Sequence, residues 1–137
     1  MIELTITRPD DWHVHLRDGA ALQRTCADLA RYFGRAVIMP NIVPPAATVA
    51  QALAYRDRIT DAMSTLPRQF EPLMVLYLTD QTTTAEIRLA AATASVHAVK
   101  LYPAGATTNS AAGVAELEKL FPTLAAMEEA DLPLLIH

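Results

Sequence analysis

Hydrophobic and polar positions follow two rhythms along the chain, and each rhythm predicts one type of element. Four short apolar runs are typical of strands covered on both faces, because they lack the polar alternation of a half-exposed strand. A weaker run before them alternates with period two, as a half-buried strand does. The five predicted strands are 11–16, 36–39, 73–78, 96–102 and 132–136.

Helical spacing fills the intervals between these strands. Gly34 is a stop signal for the first predicted helix. Capping-box patterns that begin at Thr48 and Thr83 open the second and third helices. Pro122 interrupts the last helical region and predicts two short helices, with this proline at the first position of the second. The predicted helices are 22–33, 48–66 and 83–94. The two short helices follow in the region that includes 114–124, one before Pro122 and one beginning at it.

The alternation of strands and helices restricts the fold class to α/β. It predicts parallel βαβ units with right-handed crossovers. Two architectures satisfy it: an open doubly wound sheet, for which five strands suffice, or a (β/α)₈ barrel, which needs about 250 residues. A chain of 137 residues would supply only the first half of such a barrel. Because it stops at His137, on the last residue of an apolar run, we expect 1–137 to be a truncated chain.

Composition narrows the classes of function. Hydrophobic residues make up 52% of the chain and charged residues 19%, enough to bury a core. A net charge of −4 without basic runs argues against nucleic-acid or membrane-surface partners. A single cysteine, Cys26, excludes a disulfide framework and a cysteine-rich zinc site. With no signal peptide and no bilayer-length apolar run, we expect a cytoplasmic protein.

The candidate functional residues lie at the carboxyl ends of the strands, where both architectures place their active sites. His13 and His15 are two residues apart, so the strand period puts two zinc-type ligands on one face. The spacing equally fits two hydrogen-bonded histidines. Lys100 interrupts an apolar strand. Its ammonium either pairs with an acid or reaches solvent at the strand end. Alternatively, burial makes it a neutral amine, which can add carbon dioxide and bridge two metals as a carbamate. His97 is expected on the opposite strand face.

Other polar residues near the strand ends are candidates for substrate binding. Arg17 and Asn41 could hold a carboxylate, although a lone arginine is more often part of a surface ion pair. The segment 103–110 is small and polar. It fits either a plain connector or a mobile loop that brings threonine hydroxyls over a site.

Together these segments closely resemble the dihydroorotase family of the amidohydrolase superfamily, in its shorter bacterial-type class. The segments that carry the resemblance, in the order that the family has them, are 11–19 (Asp-Trp-His-Val-His-Leu-Arg-Asp-Gly), 39–41, 99–104, 107–110 and 135–137. The resemblance covers the whole chain as the N-terminal part of longer members. It implies a parallel (β/α)₈ TIM-type barrel, of which this chain supplies about the first five strands.

The resemblance also implies a dimetal centre with two zinc ions. His13 and His15 would bind one ion, N6-carboxylated Lys100 would bridge both, and His137 would bind the second. The family's further histidine ligand and its aspartate acid/base have no counterpart in 1–137. We therefore expect no catalytic acid/base residue within this chain, and no activity from it alone.

The implied reaction is the reversible conversion of dihydroorotate and water to N-carbamoyl-L-aspartate in de novo pyrimidine (UMP) biosynthesis. Arg17 and Asn41 would hold the substrate carboxylate, and Thr107 and Thr108 would close over it. The expected partner is this small molecule, with a homodimer for the full-length protein. The alternatives are another cyclic amidohydrolase, of hydantoinase or allantoinase type, and a non-catalytic half-barrel scaffold.

Overall fold

The computed structural model describes residues 2–137, which form one five-stranded sheet with four α-helices. The strands are β1 (Asp10–Val14), β2 (Arg35–Ile38), β3 (Glu71–Leu78), β4 (Val96–Leu101) and β5 (Leu134–Ile136). The helices are α1 (Leu22–Ala30), α2 (Val49–Met63), α3 (Thr84–Ala91) and α4 (Phe121–Glu129). Short 3₁₀ turns precede α1 and α4, at Gly19–Ala21 and Leu117–Leu120. Within the described range, no helix combines the length and apolar character needed to cross a bilayer.

All predicted elements are present, with ends that shift by a few residues. The main difference between the predicted and observed elements is at the last helix. It begins at Phe121, so Pro122 occupies its second position instead of the predicted first. A proline is tolerated at either position, because the N–H groups of the first helical turn have no intrahelical acceptor and a missing N–H there breaks no hydrogen bond.

Strand order decides between the two architectures. The sheet runs β1-β2-β3-β4-β5, and every neighbouring pair is parallel. A doubly wound sheet reverses its strand order at a switch point, and none occurs here. Because right-handed crossovers without a reversal put every helix on the same face, the sheet curls around its other face. The structure is the first part of a TIM-type barrel, and the doubly wound alternative is wrong.

The sheet buries residues on both of its faces. One core cluster lies between the sheet and the helices, and it combines strand and helix residues such as Leu76 and Ile59. The second cluster contains only residues from the strands and their ends, on what would be the inside of the barrel. Its members are Val37, Met39, Leu73, Val75 and Ala98, with Leu135 packed against them. Burial on both faces explains the unbroken apolar run of β3.

A β-bulge at His97 changes the alternation along β4. Met74 pairs with Val96, but the next residue, Val75, pairs with Ala98, so His97 is an extra residue. His97 lines the same inner-face cavity as Ala98. The expectation that it lies on the opposite face is wrong, because counting by twos fails across a bulge.

Two different caps begin α2 and α3. The predicted capping box at Thr48 is present, with Thr48 Oγ1 accepting from Gln51 N and Gln51 Oε1 accepting from Thr48 N. At α3, Thr83 Oγ1 accepts from Glu86 N at 3.2 Å. The Glu86 carboxylate instead accepts from Val49 N, the first residue of α2, at 2.6 Å. The second capping box is therefore only half formed, because its carboxylate ties two helices together.

We expect Glu86→Ala to lower the free energy of unfolding by about 1–2 kcal/mol. The change removes a charged acceptor from the N-terminus of α2, where backbone N–H groups and the helix dipole favour it. Urea denaturation measures the difference. Asp57→Ala, which removes an exposed carboxylate within α2, is the control and should not lower it. Equal denaturation midpoints for Glu86→Ala and the parent would contradict the assigned cap.

Candidate functional site

The two predicted histidines converge at the carboxyl end of β1. His13 lies in the strand and His15 just after it, and their Nε2 atoms are 3.2 Å apart. Two imidazole nitrogens bound to one tetrahedral zinc at 2.0–2.1 Å would be separated by about 3.3–3.4 Å. The separation thus fits two ligands of a single ion, although it also suits a hydrogen bond between the rings.

The buried amide of Asn41 fixes the orientation of His15. Its Nδ2 donates to the carbonyl oxygen of Thr108 at 3.0 Å, which turns Oδ1 toward His15 Nδ1 at 2.8 Å. Because an amide oxygen only accepts, Nδ1 carries the proton and Nε2 keeps its lone pair in the neutral ring. Metal-binding histidines have this kind of supporting partner. The contact of Asn41 with a substrate carboxylate stays a prediction.

Both histidines favour the neutral form that binds metals. Burial lowers the pKa of His13, and the positive charge of Lys100 lowers it further against the opposing effect of Asp11. Burial also lowers the pKa of His15, and the hydrogen bond from Asn41 only partly opposes this. At neutral pH both rings are therefore mainly neutral, so each has one ring nitrogen with a lone pair available to a metal ion, and in His15 that nitrogen is Nε2.

Among the residues that the structure describes, Lys100 is a buried amine without a carboxylate partner. Its side chain is 3% exposed, and Nζ donates to the carbonyl oxygen of Ile136 at 3.0 Å. None of the ion pairs between residues 2–137 includes it. Burial lowers the pKa of Lys100, because the ammonium loses hydration without gaining an anion. The acid-paired and solvent-reaching alternatives are both wrong for this residue.

His137 and Lys100 share a neighbour, Tyr102. The His137 ring is 5.6 Å from the Tyr102 ring, and Lys100 Nζ lies 5.5 Å from that ring's centroid. The four predicted ligands thus gather at one end of the sheet. Within residues 2–137, however, no three His, Cys, Asp or Glu side chains come together as a metal site. The donors fit part of a metal centre that needs further ligands.

The loop after β4 packs against the ends of β2 and β3. Asn109 Nδ2 donates to the carbonyl oxygen of Asn41 at 3.0 Å, and Tyr77 Oη donates to the carbonyl oxygen of Asn109 at 3.2 Å. The predicted loop residues Thr107 and Thr108 therefore sit beside Asn41 and His15. Thr108 is exposed and Thr107 half-buried, and the contact of their hydroxyls with a substrate stays a prediction.

Arg17 occupies an unusual backbone conformation at the mouth of a cavity of about 530 Å³. Its φ is 64°, in the left-handed region, which costs a non-glycine residue about 1–2 kcal/mol. Two contacts hold it there. Tyr55 Oη donates to the carbonyl oxygen of Arg17, and Asp18 accepts from Arg58 Nη2 at 2.7 Å and Nε at 3.2 Å. The Arg17 side chain is exposed and outside every ion pair of the described residues, so the surface ion-pair alternative is wrong.

Three tyrosines belong to this region, although sequence reasoning gave them no role. Tyr55 holds Arg17, Tyr77 holds the loop, and Tyr102 stacks on Tyr77 with ring centroids 5.0 Å apart. Burial raises the pKa of Tyr102 to about 12, so its hydroxyl stays protonated. The one signal in the sequence was the spacing of Tyr102 two residues after Lys100, which puts both on one face.

Comparison with known proteins gives one consistent family. No protein-family model matches the chain. A dihydroorotase of Pseudomonas fluorescens is 64% identical over 134 residues, covering 98% of this chain and 38% of the relative. A dihydroorotase of Shewanella denitrificans is 61% identical over 137 residues, covering 100% of this chain and 40% of the relative. The chain thus spans about two fifths of the curated relatives it matches.

Solved structures agree with the sequence relatives. The crystal structure of a Campylobacter jejuni dihydroorotase superposes with a TM-score of 0.85 at 40% identity, over 95% of this chain and 38% of that one. The dihydroorotase of Saccharomyces cerevisiae, solved in complex with 5-fluoroorotic acid, superposes with a TM-score of 0.83 at 34% identity, over 94% of this chain and 35% of that one. With identity above 60% along its length and the same strand arrangement, this chain matches a part of the dihydroorotases that amounts to about two fifths of their length.

Proposed function

We propose that the chain forms the first part of a metal-dependent dihydroorotase, which interconverts dihydroorotate and N-carbamoyl-L-aspartate in pyrimidine biosynthesis. One observation carries the proposal: the His13–His15 pair and the buried, unpaired Lys100 lie at the same end of the sheet as the unpaired guanidinium of Arg17. The relatives' name gives the reaction. The yeast relative's ligand, a carboxylate-bearing pyrimidine, supports the substrate class.

Four side chains would hold two zinc ions. His13 and His15 would bind one ion through Nε2, Lys100 would bridge both, and His137 would bind the second. To act as a bridge, the neutral Lys100 amine bonds to the carbon of carbon dioxide and releases a proton to water, which leaves an anionic carbamate. The lowered pKa of Lys100 favours this addition, because only the neutral amine has a lone pair. Bound zinc would lower the pKa of water and polarise the ring carbonyl.

Arg17 would grip the substrate carboxylate with two parallel N–H donors. Asn41 would keep His15 in its ligating tautomer, with a carboxylate contact as a further role, and Thr107 and Thr108 would cover the ring from the loop. In the hydrolytic direction the water oxygen bonds to the ring carbonyl carbon, the C–N bond breaks, and a proton passes to the leaving nitrogen. We assign that proton transfer to a residue outside 1–137.

A hydantoinase- or allantoinase-like enzyme would share the histidine pair and the lysine. The unpaired guanidinium of Arg17 favours a ring that bears a carboxylate. Turnover of dihydroorotate against hydantoin by the full-length protein separates these functions, and turnover of neither would favour a scaffold. We also expect the full-length protein to be a cytoplasmic homodimer.

Lys100→Ala in the full-length protein should reduce both bound zinc and turnover, the latter by about 100-fold or more, because an anionic bridging ligand is lost. Short carboxylic acids added to the assay should restore part of the activity. Elemental analysis and dihydroorotate hydrolysis measure the two effects. Lys119→Ala, at an exposed lysine paired with Glu116, is the control. Normal zinc content and full activity in Lys100→Ala would exclude the bridging role.

Arg17→Met should lower kcat/KM while zinc content holds. Loss of a charge-assisted contact of about 2–5 kcal/mol corresponds to about 30- to 5,000-fold. Steady-state kinetics and elemental analysis together check this. Arg24→Met, at an exposed arginine of α1 paired with Asp28, should change neither. If Arg17→Met loses as much zinc as His13→Ala, the residue supports the metal centre instead of the substrate.

Residues 1–137 alone should not catalyse the reaction. They lack the proposed acid/base, whose proton transfer accounts for about 10²–10⁴-fold. They also leave β1 and β5 as open edges, which invite association. The test is to purify 1–137, verify its mass, and assay dihydroorotate hydrolysis with added zinc and bicarbonate. Turnover close to that of the full-length protein would mean that the residues named above suffice.

A further inference from the structure

The loop after β4, residues 103–114, has a shape fixed by its own hydrogen bonds. Pro103 and Val114 pair as an isolated bridge across its base. Inside the loop, the buried Ser110 hydroxyl accepts from Thr107 N at 2.8 Å and donates to the Thr107 carbonyl oxygen at 2.6 Å. Because these bonds lie within the loop, its tip meets the rest of the protein as one preformed surface.

The tip of this loop exchanges two hydrogen bonds with Asn41. The Asn41 side chain donates through Nδ2 to the carbonyl oxygen of Thr108 at 3.0 Å. In return, Asn109 Nδ2 donates to the backbone carbonyl oxygen of Asn41 at 3.0 Å. Asn41 is only 3% exposed, so water competes little for its groups. The loop therefore fixes both the backbone and the amide of this residue.

The other end of the same amide meets a proposed metal ligand. Asn41 Oδ1 lies 2.8 Å from His15 Nδ1. A carbonyl oxygen only accepts, so the Thr108 carbonyl decides that the NH₂ end of the amide faces the loop and the oxygen faces His15. Without that carbonyl the amide can turn and donate to Nδ1 instead. The ring proton would then sit on Nε2, the nitrogen that the metal needs.

We propose that Asn109 is a positioning residue for the metal centre: by holding the loop against Asn41, it keeps His15 in the tautomer that binds zinc through Nε2. The inference rests on the proposed function, which assigns His15 to the metal, and adds a link between the loop and that ligand. Coupling between two binding events is reciprocal, so the docked loop is also favoured when His15 holds zinc. The loop proposed to cover the substrate thereby supports the metal site as well.

Asn109→Gly in the full-length protein tests the link. It removes the amide, keeps the backbone contact with Tyr77, and suits the left-handed φ of 56° at this position. Zinc affinity, measured on the metal-depleted protein by competition with a chromophoric chelator, should fall about 5-fold or more. Ring nitrogen chemical shifts of His15 in the zinc-free protein should move toward the Nε2–H tautomer. Ala106→Gly, at an exposed residue of the same loop, is the matched control and should change neither readout.

A second variant removes the dependence on the loop. Asn41→Asp keeps an oxygen that accepts from His15 Nδ1 but has no N–H group for the Thr108 carbonyl. A carboxylate is itself a common supporting partner of a metal-binding histidine, so zinc affinity should not fall. Adding Asn109→Gly to Asn41→Asp should then leave zinc affinity unchanged, because the tautomer no longer depends on the docked loop.

The remaining outcomes separate this inference from the proposed function. Unchanged zinc affinity and an unchanged His15 tautomer in Asn109→Gly would overturn the link, while zinc binding and dihydroorotate turnover by the parent would still support the proposed function. An equal loss of affinity in Ala106→Gly, or a loss that persists in the Asn41→Asp background, would also overturn the link. A parent protein that binds zinc no better than His15→Ala and does not hydrolyse dihydroorotate would overturn the proposed function itself.

Discussion

Parallel pairing of consecutive strands is the constraint on which the site depends. Because each strand lies beside the next along the chain, all five carboxyl ends meet at one edge of the sheet. The central strand β3 sets the register, with Met74 opposite Ile38 on one side and Lys100 opposite Tyr77 on the other. A slip of one residue at β4 would move Lys100 to the helix-covered face and remove it from the site.

The sequence was sufficient for the elements but not for their arrangement. Unbroken apolar runs predicted the buried strands, since burial on both faces leaves no polar alternation. They could not distinguish an open sheet from a barrel, because both use the same βαβ units; only strand order, or the family resemblance, does so. The bulge at His97 and the reach of Glu86 to Val49 were also missed, since each depends on a partner in another element.

The same division holds for the site. The spacing of His13 and His15 predicted that their rings meet, and the apolar surroundings of Lys100 predicted its burial. The residues that support these side chains could not be predicted, because their contacts join positions that are distant in the sequence. Asn41 bonds to His15 across 26 residues and to Thr108 across 67. No local pattern encodes such contacts, so the tyrosines and the Asn41 amide required a structure.

The contact between Tyr55 and Arg17 joins the helix layer to the residue that we propose binds the substrate. Tyr55 is fully buried in α2 and 38 residues from Arg17, yet its hydroxyl holds the backbone that aims the guanidinium. Small shifts of α2 against the sheet would therefore turn the arginine without moving the proposed metal ligands on β1 and β4. Under the proposed function, natural variation on the buried side of this helix would adjust how tightly Arg17 holds a carboxylate, and an enzyme engineer could alter substrate preference from a position within the helix core.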